Sequence, residues 1–127
     1  MPKYDGVTTY GILITNEGDV VPLRSGVRSP LFRDYPSAGH VEGKAAIWIR
    51  EHNSSGGVVF HNNTDGTCGF CNRQIETLLP NGAILYGVPP LNAVAEKRGA
   101  TQDPTPYIGN AAEPELPPQY DFFRRLP

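Results

Sequence analysis

Positions 8–15, TTYGILIT, are dense in β-branched and aromatic residues and read as a strand. Asn16-Glu17-Gly18-Asp19 is turn chemistry, and Val20-Val21-Pro22-Leu23 starts a returning strand whose proline marks an edge or an early end, so the two runs make a hairpin. Positions 25–36 hold Gly26, Pro30 and Pro36 with Arg28 and Arg33, and Arg24 stands just before them, a loop with three positive charges. A helix is predicted to start at or just before His40. Val41, Ala45, Trp48, Ile49 and His52 fall at i, i+4, i+7, i+8 and i+11, while Glu42, Lys44, Arg50 and Glu51 lie mostly off that stripe. Asn53-Ser54-Ser55-Gly56-Gly57 stops it. Positions 57–62 follow as a buried strand and 63–66 as a turn. A second helix starts around Cys68, with Cys71, Ile75, Leu78 and Leu79 at the same spacing, and Pro80-Asn81-Gly82 ends it. Positions 83–88 are the next strand, closed by Pro89-Pro90. Beyond Leu91 the pattern weakens: 93–98 could be a short helix or strand, and 101–118, rich in Pro, Thr and acidic residues, reads as loop.

The element order is that of an α/β fold with two helices side by side on one face of a sheet. At 127 residues and 13.8 kDa the chain has room for one core, so 1–127 is read as a single domain, with a core of about 4–110 and a C-terminal tail at 111–127 whose aromatic end could dock back. Its opening, Met1-Pro2-Lys3-Tyr4, reads as a start residue placed before an excised domain. No apolar run approaches the roughly 20 residues that cross a bilayer, which leads us to expect a soluble polypeptide with no membrane partner. A formal charge of -2 and a pI near 5.9 argue against tight non-specific binding of nucleic acid and leave room for a local basic patch.

The chemistry concentrates between His40 and Cys71. His40-Val41-Glu42 supplies an imidazole and a carboxylate, and Cys68-Gly69-Phe70-Cys71 supplies two thiols, the only cysteines in the chain. A C-x-x-C alone could be a redox pair or half of a structural zinc site. Here no second C-x-x-C completes a four-cysteine site, and the segment after Cys71 shows no parallel strand–helix–strand alternation headed by the motif. One His with two Cys is a catalytic zinc set that leaves the fourth position to water, and H-x-E followed downstream by C-x-x-C is the zinc deaminase signature, with the Glu as acid/base. The expected ligands of Zn2+ are therefore His40, Cys68 and Cys71, with Glu42 handling protons. All four sit at helix starts, where the positive dipole end favours thiolate.

The stretches Ala38-Gly39-His40-Val41-Glu42-Gly43, Val59-Phe60-His61-Asn62-Asn63, Gly66-Thr67-Cys68-Gly69-Phe70-Cys71, Glu76-Thr77-Leu78-Leu79-Pro80 and Lys97-Arg98-Gly99-Ala100-Thr101 resemble the DddA-like family of bacterial deaminase toxins. The similarity is close over about 36–101 and looser over the N-terminal hairpin, where Tyr4-Asp5-Gly6 stands in place of a Tyr-containing turn. It implies a cytidine-deaminase-like three-layer fold, a central mixed β-sheet flanked by helices with the zinc site at two helix N-termini. It also implies deamination of cytosine to uracil in DNA by a toxin domain of a larger protein, secreted or delivered into a target bacterial cell to act in its cytoplasm or nucleoid and silenced in the producer by an immunity protein. A monomer is the default expectation. A free cytidine or deoxycytidine deaminase, or an RNA cytosine deaminase, is the alternative, and a non-catalytic zinc module the third option. Phe60, His61, Asn62 and Phe70 are candidates for the pocket around the base, and Tyr4 could fill the gap left by a flipped one. Ala38 and Ser37 belong to the same opening. Lys97, Arg98, Arg73 and the Arg28/Arg33 loop would serve phosphates. Position 37 is Ser and position 5 is Asp where the family resemblance would give Asn, so strand preference and sequence context do not carry over.

Overall fold

A computed structural model describes residues 1, 3–63, 72–91 and 103–110. In chain order the elements are β1 (Tyr10–Thr15), β2 (Val20–Arg24), α1 (Val41–Glu51), β3 (Gly56–His61), α2 (Asn72–Leu78), β4 (Ile84–Val88) and β5 (Thr105–Ile108), with 3-10 turns at Pro30–Phe32 and Pro36–Gly39. The strands form one mixed sheet in the order β2-β1-β3-β4-β5. The expected hairpin is β1–β2, paired antiparallel with Tyr10 opposite Arg24. Its turn is closed by Gly18 at φ +95°, which an L side chain rarely adopts, and by the Asp19 amide donating to Thr15 Oγ1.

Two expectations change. Positions 101–118 read as loop, yet Thr105–Ile108 is an edge strand antiparallel to β4. Pro106 hid it, because proline is tolerated in a strand only where its missing N–H faces outward at an edge. Tyr107, 1% exposed, is that strand's anchor in the core. The strand, helix and strand expected over 57–88 are present, with β3 and β4 parallel and joined through α2. Strands of such units usually show continuous apolar runs because both faces are covered. In β4, Leu85 and Gly87 are buried while Ile84 and Tyr86 are exposed, which is the alternation of a one-sided strand. Secondly, positions 57–62 are not buried throughout, since Phe60 turns outward at 39% exposure.

The core lies on one face. Leu13, Val59, Leu85 and Tyr107 point to it from four strands, and Val41, Ala45, Ala46 and Ile49 of α1 with Ile75 and Leu78 of α2 cover them. On the opposite face Ile14, Phe60, Ile84, Tyr86 and Ile108 are 39–55% exposed, so the second helical layer of a three-layer arrangement is not among the described residues. The two helices are latched together at both ends. Gln74 Oε1 accepts from the Ser37 amide at 3.0 Å and its hydroxyl at 2.8 Å, beside the start of α1. Arg50 donates to the carbonyls of Thr77 and Leu78 at the end of α2, with its guanidinium 5.2 Å from the centre of the Phe32 ring. No helix among the described residues is long and apolar enough to cross a membrane.

Candidate active site

The site is built on the first turn of α1. The Pro36–Gly39 turn delivers His40 as the N-cap, in extended conformation (φ -82°, ψ 157°), with its amide on the Ser37 carbonyl and its carbonyl accepting from the Lys44 amide. Glycines let this turn settle onto the sheet. A Cβ at Gly43 would stand 1.7 Å from the Ser37 carbonyl oxygen, and one at Gly11 of β1 would stand 2.3 Å from the Val41 side chain. The His40 side chain does not cap the helix and its ring is exposed. Partial burial, and then the charge of Arg28, hold its pKa below the ordinary histidine value, so the ring is neutral and able to ligate at physiological pH.

Glu42 points inward. The stripe centred on Trp48 and His52 placed it off the packed face, but Glu42, Ala45, Ala46 and Ile49, at i, i+3, i+4 and i+7, are the buried row. Trp48 is half-buried and His52 exposed, and their rings stack on each other with centroids 3.8 Å apart. The Glu42 side chain runs over Gly87 of β4, whose missing Cβ would lie 3.6 Å from Glu42 Cγ and 3.1 Å from the Tyr107 ring. Its carboxylate Oε1 is 3.4 Å from His61 Nε2 at the end of β3. Burial pushes the Glu42 carboxyl pKa up and pushes that of His61 down to about 4. A carboxyl held this way takes up a proton more readily than one in water, which suits a group that must collect a proton and return it.

Beside this pair, at the carboxyl ends of the parallel strands β3 and β4, a cavity of about 570 Å³ is lined by Lys3, Tyr4, Phe60, His61, Asn62 and the Val88–Leu91 stretch. Open α/β sheets place ligands at such strand ends, and the volume is within the range of small-ligand pockets. Four sequence candidates, Tyr4, Phe60, His61 and Asn62, thus meet at one cavity. Tyr4 is presented there by Asp5, whose carboxylate accepts from the Val7 and Thr8 amides, both at 2.8 Å; those bonds hold the Asp5 pKa below its ordinary value. Asn62 also extends the sheet, accepting from the Tyr10 amide at 2.8 Å while its own amide donates to the Tyr10 carbonyl. Ser37 and Ala38 are fully buried and do not line this cavity: the Ser37 hydroxyl is spent on Gln74, and Ala38 faces a smaller groove with Arg28, Lys44 and Trp48. Cys68, Phe70, Cys71, Lys97 and Arg98 lie outside the described residues, as does the Arg73 side chain. Sequence reasoning missed Gly11, Gly43, Gly87, Gln74 and Tyr107. Only Gly43, immediately after His-Val-Glu, carried any visible signal.

The SCP1.201-like deaminase family model matches residues 1–93, the span that contains His40, Glu42, Cys68 and Cys71. The chain belongs to the SCP1.201-like deaminase family. It is 41% identical over 120 residues, 92% of its length, to Double-stranded DNA deaminase toxin A of Burkholderia cenocepacia (strain H111), of whose length it spans 8%. As a member of this deaminase family the chain is an enzyme, and zinc is general to the family. The donors suit that ion: His40 offers a neutral imidazole at a helix start, Glu42 turns inward two residues on, and one imidazole with two thiols is a zinc set.

Proposed function

We propose that the chain is the catalytic domain of a toxin that converts cytosine to uracil in DNA, with zinc as its cofactor. The observation that carries this reading is a buried carboxylate, Glu42, two residues from an imidazole at the same helix start and set against His61, which itself lines a cavity of about 570 Å³. The name of its toxin relative, a double-stranded DNA deaminase, supports DNA as the polymer.

His40, Cys68 and Cys71 would hold Zn2+, which when bound supplies an activated water. Glu42 accepts a proton from the attacking water and delivers it to N3 of cytosine as the new C–O bond forms at C4. It then carries the second proton to the departing amine, so that water and cytosine become uracil and ammonia. The raised Glu42 pKa serves the protonated half of that cycle. Phe60 and Asn62 contact the base, and Tyr4, held on the Asp5 turn, takes the place of a flipped nucleotide in a duplex, where extrusion costs a few kcal/mol. Arg28, braced by donating from Nη1 to the Arg33 carbonyl at 2.8 Å, stands on the His40 side for a phosphate, with Lys97 and Arg98 as further contacts. The domain works as a monomer, is delivered to a target bacterium within a larger protein, and is silenced in the producer by an immunity protein.

The test uses matched fluorescent DNA, the same sequence single-stranded and annealed, followed by uracil glycosylase and alkali, with RNA and free deoxycytidine assayed beside it. Cleavage of either DNA form supports the proposal, and cleavage of the duplex assigns base flipping to this domain. Turnover of RNA or free deoxycytidine with none of DNA would replace it with the small-molecule or RNA reading. Bound zinc with no turnover of any substrate would reduce the domain to a structural zinc module.

A further inference from the structure

We infer that His61 is the positioning residue of Glu42: as a neutral ring protonated on Nε2, it holds Glu42 Oε1 and leaves Oε2 as the oxygen that moves protons. The inference rests on the proposed acid/base role of Glu42 and deepens it.

The ring's two nitrogens face different partners. Nδ1 lies 3.2 Å from the Asn63 amide, a backbone N–H that can only donate, so Nδ1 is the accepting nitrogen and the ring proton sits on Nε2. Nε2 in turn faces Glu42 Oε1 at 3.4 Å, longer than a closed hydrogen bond and in the range over which active-site contacts tighten when a site is loaded. His61 is 1% exposed, so nearly all of its ring is packed inside the domain and only its edge reaches the cavity.

The rest of the Glu42 side chain is already placed. Its Cγ passes over Gly87, next to the Tyr107 ring, so β4 and β5 fix the stem. The carboxylate itself turns about its last bond, a soft torsion. A donor on Oε1 fixes that rotation. The local order of the chain makes this possible: Gly11 is opposite His61 in the β1–β3 register and admits Val41 of α1, so the first turn of the helix sits low enough for Glu42 to meet a strand side chain.

The experiment compares zinc-loaded wild type, Glu42→Gln, His61→Leu and His61→Gln on the same cytosine-containing DNA, reading kcat and KM separately, and records the 15N signals of the His61 ring in the wild type. His61→Leu should lower kcat about 10- to 100-fold, the usual scale for losing a partner that orients a site group, with KM within about threefold. His61→Gln, which keeps an N–H near the Nε2 position, should recover most of that loss. The ring should show a protonated Nε2 and a bare Nδ1. A His61→Leu variant with wild-type kcat, a loss confined to KM, or a ring protonated on Nδ1 would overturn the inference, and the ring measurement needs no variant to fold. Failure of the underlying reading is separate: it would appear as wild type without uracil formation, or as Glu42→Gln with undiminished turnover.

Discussion

Phe60 and His61 are neighbours in β3, and the end of that strand divides the molecule into two regions with different work. On the inner face His61 is 1% exposed, touches Glu42 and reaches the cavity only at its edge; on the outer face Phe60 is 39% exposed and lines the cavity with Tyr4. The inner region is closed, packed through Gly11, Gly43 and Gly87, and on our inference it sets the angle of one carboxylate. The outer region is open, and a polymer can reach it. One residue step along a strand reverses the side-chain direction, and on the proposed function it separates preparation of the acid/base from reception of the nucleotide.

The largest expected effect is on the inner side. Glu42→Gln keeps the shape of the side chain and removes the proton carrier, so kcat should fall about 10²- to 10⁴-fold while zinc content, read by metal analysis, stays at one per chain. Gly43→Ala comes next, because its methyl would meet the Ser37 carbonyl; a loss of about 1–3 kcal/mol, measured as a lower urea midpoint, is expected.

A pH effect sharpens the same region. The folded-state pKa of His61, about 4 against an ordinary 6.5, means that the folded protein binds fewer protons there than the unfolded chain. That stabilisation is complete above about pH 6.5 and is lost as pH falls towards 4, on the order of 3 kcal/mol in total. The urea midpoint of His61→Gln should therefore fall less than that of wild type between about pH 7 and about pH 4.5. Glu42, pushed up by burial, contributes in the opposite direction in both proteins, losing stability as pH rises, so the difference between the two slopes reports His61. Equal slopes would contradict it. The smallest effect is expected at the helix latch: Ser37→Ala removes a hydroxyl bond to Gln74 and should cost about 0.5–1.5 kcal/mol, read by thermal unfolding, with a modest drop in activity as the two helix starts loosen.

Much of this fold was legible because local rules agreed with the global one. Most of TTYGILIT is a strand, from Tyr10 to Thr15, and Asn53-Ser54-Ser55-Gly56-Gly57 does stop the helix at Glu51. Motif spacing brought His40 and Glu42 to one helix start. The inward turn of Glu42 was harder to see, because a carboxylate in a buried row is discounted when apolar stripes are counted, although Ala45, Ala46 and Ile49 mark that row. β5 was illegible for the reason edge strands often are: Pro106 speaks against a strand except where no partner needs its N–H. Ser37 illustrates a different limit. A serine in a loop beside a ligand motif reads as a contact, and only the fold shows that Gln74, far away in sequence, already holds it. The glycines gave least away, since what they admit is contributed by other strands.

The most direct measurement is of kcat and KM for Glu42→Gln and Phe60→Ala side by side on one cytosine-containing DNA. The division between the two faces predicts that Glu42→Gln loses kcat with KM within a few fold. It predicts that Phe60→Ala keeps kcat and raises KM about 5- to 100-fold, the worth of one aromatic contact to a base. Both variants failing in the same parameter, or Glu42→Gln keeping its turnover, would contradict it.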